Sequence, residues 1–303
     1  MTDRLVRLLE RLGPVLGEAG GAPELLGGGI TNHNYKVRFG RGDYVVRITN
    51  PESGALLIDR AAEHAAAISA ARLGVGAEVA AWLPDEGCLV TAFIAGRPIP
   101  PEELRRPGTL AVVAAAVRAF HQGPAIPSTF NVFRVVEAYA RTARERGAPL
   151  PPEAGAASRI AREIEGCLRG EEHVPVPCHN DLLNANLIRD AAGVRIVDWE
   201  YAGMGDRYFD LGNFSINNGL GESDDESLLA AYFGTPCTSR RFACLRLMRV
   251  MSDFREAMWG VVQSVVSPVQ FDYGEYAARH FFRLLQSAAD ARYAAWLGEA
   301  RGG

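Results

Sequence analysis

The segment HNDLLNAN at 179–186, followed by IVDWE at 196–200, constrains this chain more than any other stretch. Each piece belongs to an apolar run with clustered Asn and Asp at its end. The DAAG turn at 190–193 predicts that 174–190 and 194–203 pair as a hairpin. Asp181, Asn186 and Asp198 then sit at strand ends with a fixed spacing. Phospho-transfer to a hydroxyl with magnesium needs one carboxylate to receive the proton, and an amide oxygen plus a second carboxylate as hard ligands for the ion. Asn and Asp that merely satisfy turns would explain either segment alone, but not both in this order.

The flanking sequence falls into two unlike parts. Residues 26–49 alternate as strands, LGGGITNHNYKVRF and YVVRIT, around the polar turn RGD. The alanine-rich run at 58–73 has helical periodicity and stops at Gly74, a natural C-cap. VAAWLPDEGCLVTAFIAG supplies two more short strands around a DEG turn, and the PIPP stretch at 98–101 predicts a hinge. Helical patterns follow at 110–122, 135–147 and 156–169, and resume after about 224. The expectation is an α+β chain with a small β-rich N-lobe over 1–95 and a larger helical C-lobe over 96–303.

Composition removes other readings. With 303 residues, 48% of them apolar, the chain exceeds a usual single core and is not disordered. A formal charge of −4 offers no basic excess for nucleic acid. No apolar run reaches the roughly 18 to 20 residues of a membrane span, and the amphipathic start MTDRLVRLLERLG does not read as a signal peptide. The five cysteines share no CxxC spacing, so neither disulfides nor zinc are expected, and a reduced, cytoplasmic protein fits. Lys36 is the only lysine.

Asp181 with Asn186 has the D-x-x-x-x-N spacing of a kinase catalytic loop, and Asp198 stands where its metal-binding aspartate belongs. Together with VDWEYAGMGDRYFDLGNFSINNG, AFHQ at 119–122 and LGGGITNHNYKVR, this resembles the aminoglycoside phosphotransferase superfamily, most closely its bacterial choline kinase-like branch. The resemblance implies a bilobal protein-kinase-like fold using ATP and Mg2+. It implies Asp181 as catalytic base, His179 as the catalytic-loop histidine with a mainly structural role, and Asn186 and Asp198 as magnesium ligands. Gly28 and Gly29 bring backbone N–H groups near phosphate, and Thr31 and Asn32 add side-chain donors. Where protein kinases carry a strand lysine, YVVRIT offers Arg47, whose fork binds phosphate bidentately, with Glu63 of the following helix as its partner. Lys36 is the rival phosphate contact, or an ordinary exposed strand lysine.

The acceptor is expected to be a small alcohol, choline or a related amino alcohol; ethanolamine, thiamine, an aminoglycoside or a sugar are alternatives, and a nucleotide-binding pseudokinase is another. A quaternary ammonium needs aromatic faces, optionally backed by a carboxylate. Tyr201, three residues past Asp198, and Trp259 are the leading candidates, with Phe271, Tyr273 and Tyr276 beyond them and Glu200 and Asn217 completing the set. Asp253 and Glu256 flank Trp259 and could balance a cation. The acidic cluster DDE at 224–226 reads as a loop or helix N-cap.

Overall fold

The computed structural model describes residues 3–27, 32–49 and 51–302. The expected Gly28, Gly29 and Thr31 lie outside the described residues. The chain opens with α1 (Asp3–Leu16), whose Leu5, Leu8, Leu12 and Leu16 recur at helical spacing and are all buried. They pack on Val37, Phe39, Val46, Ile48 and Val90, forming a separate small core on one face of a sheet.

That sheet comprises β1 (Ala19–Leu26), β2 (His33–Phe39), β3 (Gly42–Ile48), β4 (Val79–Leu83) and β5 (Cys88–Ala92) in the order β1-β2-β3-β5-β4. Asn34 lies opposite Arg47, and Arg47 opposite Leu89, so Arg47 projects from the face away from α1. Strand β1 was not foreseen, because AGGAPELL lacks the β-branched alternation that marks a strand; it is an exposed edge with an irregularity between Gly20 and Glu24. The helix expected over 58–73 is α2 (Arg60–Arg72), capped by Asp59, which accepts from the Ala61 and Ala62 N–H groups.

The PIPP stretch enters the C-lobe as β6 (Arg97–Pro98). It leads into α3 (Pro101–Leu104), α4 (Pro107–His121), α5 (Val132–Glu145) and α6 (Ala154–Glu165). Strand β6 pairs with the catalytic hairpin at Ile188 and Arg189. Here Gly96 is required, since a Cβ would lie 2.3 Å from the Arg189 carbonyl oxygen.

The hairpin is shorter than the sequence suggested. Only β8 (Leu187–Arg189) and β9 (Val194–Ile196) pair across the turn, while β7 (Val176–Cys178) pairs with β10 (Gly203–Gly205). The two pairs are nested, so Asn180–Asn186 and Val197–Ala202 are left out of both ladders as loops between them.

Helices resume at α7 (Arg207–Asn217), well before 224, followed by α8 (Glu222–Phe233), α9 (Ser239–Val266), α10 (Tyr273–Ala288) and α11 (Tyr293–Arg301). Helix α7 escaped the periodicity reading because Tyr208 through Ile216 are buried all round, leaving no polar stripe. It presses on α9 so closely that a Cβ at Gly212 would meet the Met248 backbone at 2.8 Å. Among the described residues no helix is long and apolar enough to cross a membrane.

Candidate active site

Two cavities meet between the lobes. The first, about 400 Å³, is lined by Leu26, Val45, Leu89, Phe93, Ile188 and Ile196, with Arg47 and Asp198 at one end. The second, about 110 Å³, holds Asp181, Glu200, Tyr201, Arg255, Glu256, Trp259 and Tyr276. Asn34, Asn186 and Asp198 line both.

The loop carrying Asp181 is held by its backbone. Asn180 and Asp198 both have left-handed backbones, with φ of 67° and 69°, a conformation Asn and Asp tolerate better than other non-glycine residues. The buried Asp210 carboxylate accepts the N–H groups of His179 (2.7 Å) and Asn180 (2.6 Å), and its Oδ2 also contacts His121 Nε2 at 2.9 Å. His121 in turn meets Tyr232 OH at 2.7 Å. Farther along, Asn213 Oδ1 accepts the Leu182 N–H at 2.6 Å, and Asn218 Nδ2 donates to the Leu182 carbonyl at 3.0 Å. Asp210 was not singled out in the sequence; its signal was the DRYFDLGN segment directly after the Asp198 loop.

His179 is oriented by Nε2 against the Val197 carbonyl (2.9 Å), while Nδ1 accepts the Asp181 N–H (3.1 Å). Burial lowers the His179 pKa, consistent with the neutral tautomer that these partners require. Its contacts are with the loop backbone. The Asp181 carboxyl is pushed up to about 8 by burial, a rise that Arg255 opposes and Glu256, Asp198 and Glu200 reinforce. In its ionised form a carboxylate whose pKa is raised in this way takes a hydroxyl proton more readily than an exposed one.

Arg47 is buried and forms ion pairs with both Glu63 and Asp198. Burial would weaken its proton affinity, but Asp198, Glu63 and Glu200 hold it above the ordinary value. Burial likewise raises Asp198, yet Arg47 overrides it and keeps that carboxyl below the usual range. Glu63 also pairs with Arg60 at 2.7 Å. Lys36 does not reach this cluster: its ammonium lies 4.2 Å above the Phe93 ring and 3.9 Å from Asp43.

Asn186 and Asp198 form an all-oxygen donor set suited to magnesium. Asn186 spends Nδ2 on the Asp181 carbonyl at 2.9 Å, which leaves its oxygen available. The trio His121, Cys178 and Asp210 also brings ligating atoms within 4.8 Å of one another. It does not suit a metal, because Asp210 is committed to the loop and burial raises the Cys178 thiol well above its ordinary value.

Three expected contacts fall elsewhere. Asn32 donates to Glu200 Oε2 at 2.7 Å and lines the smaller cavity, so its side chain turns to Glu200 and away from the larger cavity. Asn217 does not line that cavity; it ends α7 with Oδ1 3.5 Å from Arg283, and helical turn geometry gives the inward position to Asn218. Asp253 is likewise turned away, buried against His280 (2.9 Å) and Arg283.

Within the smaller cavity Trp259 Nε1 donates to Tyr201 OH at 3.0 Å, and the Trp259 and Tyr276 rings meet edge-on at 5.5 Å. Glu200, pushed up to about 6 by burial and by Asp198, is held by Asn32 and by Arg60 at 3.3 Å. The Tyr201 ring is covered by Arg255, whose guanidinium carbon stands 4.2 Å from the ring centre. Arg255 had not been singled out: inside the fully buried part of α9 it reads as one more helical charge.

Comparison with known proteins extends beyond the site. Human ethanolamine kinase 2 is 26% identical over 215 residues, covering 62% of this chain and 56% of that protein, so the chain matches little more than half of that relative. Probable ethanolamine kinase A of Dictyostelium discoideum is 27% identical over 298 residues, 86% of this chain and 84% of its own length. The crystal structure of a choline/ethanolamine kinase family protein from Mesorhizobium loti superposes with a TM-score of 0.85 at 30% identity, covering 99% of this chain and all of the other. Residues 23–247, from β1 into α9 and including the loops that carry Asp181 and Asp198, match the phosphotransferase enzyme family, and the chain belongs to that family.

Proposed function

We propose that this chain is an ATP- and magnesium-dependent phosphotransferase that phosphorylates the hydroxyl of a small amino alcohol. The observation that carries the reading is the meeting of two cavities at Asn186 and Asp198, with Asp181 lining only the smaller one. The larger, mostly apolar cavity suits a purine base, and Arg47 at its end suits the phosphates. Residues 1–95 then supply the nucleotide lobe and 96–303 the catalytic and acceptor lobe.

Asn186 and Asp198 would hold magnesium, which when bound neutralises phosphate charge. Asp181 accepts the hydroxyl proton as the acceptor oxygen bonds to the terminal phosphorus, and the bond from that phosphorus to the ADP oxygen breaks. His179, through the Asp181 N–H, and Asp210, through the two preceding N–H groups, keep the loop in place. Glu63 orients Arg47.

Tyr201, Trp259 and Glu200 belong to the acceptor site. Choline was the first expectation, and the Trp259 and Tyr276 rings lining the smaller cavity support it. Arg255 on the Tyr201 face favours ethanolamine instead, because a primary ammonium can donate to Glu200 or Glu256, whereas a trimethylammonium needs open ring faces. ADP release measured with choline, ethanolamine, thiamine, an aminoglycoside and simple sugars tests both levels. Stimulation by an amino alcohol is expected, with ethanolamine above choline. Stimulation by a sugar alone would overturn the acceptor, and Asp181→Asn with kcat near the parent would remove Asp181 as base.

A further inference from the structure

Arg255 is the most deeply buried charge of the smaller cavity, 1% exposed, and it is the one cation among the described residues lining it. Its Nη1 lies 2.5 Å from Glu256 Oε1 and 3.2 Å from Asp181 Oδ1. Glu256 is fixed in turn by Tyr276, whose hydroxyl donates to Oε2 at 2.7 Å. Tyr201 supports the guanidinium plane from below. A chain of contacts therefore runs from α10 through α9 to the loop between β7 and β8, its last link joining residues 74 apart in sequence.

Both ends of that chain are specified. Arg255 engages only Oδ1 of Asp181, and among the described residues the donor to Oδ2 is Asn186 Nδ2 at 3.5 Å, too long to occupy it. One oxygen is clamped and the other is left to receive a proton. The backbone bonds from Asp210 and Asn213 fix the loop but do not touch the Asp181 side chain, so its rotation is limited by Arg255.

We propose that Arg255 is a positioning residue for phosphoryl transfer, holding the Asp181 carboxylate so that Oδ2 meets the acceptor hydroxyl. This rests on the phosphotransferase reading above. The step itself is unchanged: the hydroxyl proton passes to Oδ2, the new O–P bond forms, and ADP leaves. Removing the clamp lets the carboxylate turn, and misplacing a reacting group by about 1 Å costs on the order of 10²-fold. The role is catalytic geometry, whereas a role confined to pairing with Glu256 would affect folding or acceptor affinity.

The test compares parent, Arg255→Ala, Arg255→Lys and Asp181→Asn by steady-state kinetics with the best amino alcohol of the panel. Arg255→Ala is expected to lower kcat about 10- to 100-fold with both KM values within about threefold, and Arg255→Lys to recover part of the loss. Guanidinium chloride below denaturing concentration should restore rate to Arg255→Ala, leaving the parent and Asp181→Asn without gain. An unchanged kcat, or a loss falling wholly on the acceptor KM, would overturn the proposal. If Arg255→Ala does not fold, Arg255→Met decides it, because it keeps most of the side-chain bulk and removes the Nη1 contact to Oδ1: a kcat equal to the parent's overturns the proposal. A parent that releases no ADP with any alcohol overturns the phosphotransferase reading, and the inference with it. An active parent with an indifferent Arg255 overturns the inference alone.

Discussion

Replacing Asp210 by Asn keeps the shape of the side chain and removes its charge. In the native loop the carboxylate receives two backbone N–H groups, at 2.7 and 2.6 Å, and contacts His121 at 2.9 Å. Hydrogen bonds to a charged group contribute about 1.5–3 kcal/mol each, and a buried donor left unpaired costs about 1–3 kcal/mol. The amide keeps one acceptor oxygen but turns an NH2 group toward the other donor, so one bond is lost, the rest lose their charge, and a donor faces a donor. Together these amount to about 3–5 kcal/mol. With an unfolding entropy of about 2.1 cal/mol/K per residue over 303 residues, roughly 0.6 kcal/mol/K, the midpoint should fall by about 5–8 °C. Because the lost bonds hold His179 and Asn180, kcat should fall about 10-fold or more even well below the midpoint. The comparison is Asp225→Asn, which disturbs a buried network with Ser215 and Arg249 far along the chain from the loop. It should lower the midpoint without a comparable loss of kcat. Thermal unfolding by circular dichroism and kcat at 20 °C would be read together. An Asp210→Asn variant that loses no more kcat than Asp225→Asn would refute the anchoring of the loop by Asp210.

The ion and phosphate contacts are separable by substitution. Asp198→Ala should weaken Mg·ATP binding in calorimetry as well as the rate, and an unchanged affinity would count against Asp198 as a ligand. Arg47→Ala should raise the ATP KM about 10-fold or more, with Arg47→Lys recovering part because charge remains while the bidentate fork is lost; a larger effect from Lys36→Ala would move the phosphate contact to Lys36. Trp259→Ala removes the ring edge and the bond to Tyr201 OH, so the acceptor KM should rise several-fold while that for ATP holds. Equal change in both KM values would place Trp259 in general packing.

Much of this was readable in one dimension, where local chemistry carries the signal. Asp181, Asn186 and Asp198 lie within 18 residues, and their spacing survives folding because short loops join them. Strands β2 and β3 alternate, α2 has a cap at each end, and Arg47 and Glu63 sit on adjacent elements that must face each other. What the local pattern could not hold was any relation made by long-range packing. The pairing of β7 with β10 depends on loops closing between them. Helix α7 is buried on every side and so has no stripe to read. Asn32 and Asn217 were assigned by neighbourhood in sequence, yet side-chain direction is set by the backbone around each: Asn32 turns to Glu200, and one helical step hands the inward place to Asn218. Asp210 and Arg255 show the limit most clearly. Each acts on a loop 30 or 74 residues away. In sequence each is an unremarked helical charge; only the burial that forces a charge to find its partner brings it to the loop carrying Asp181.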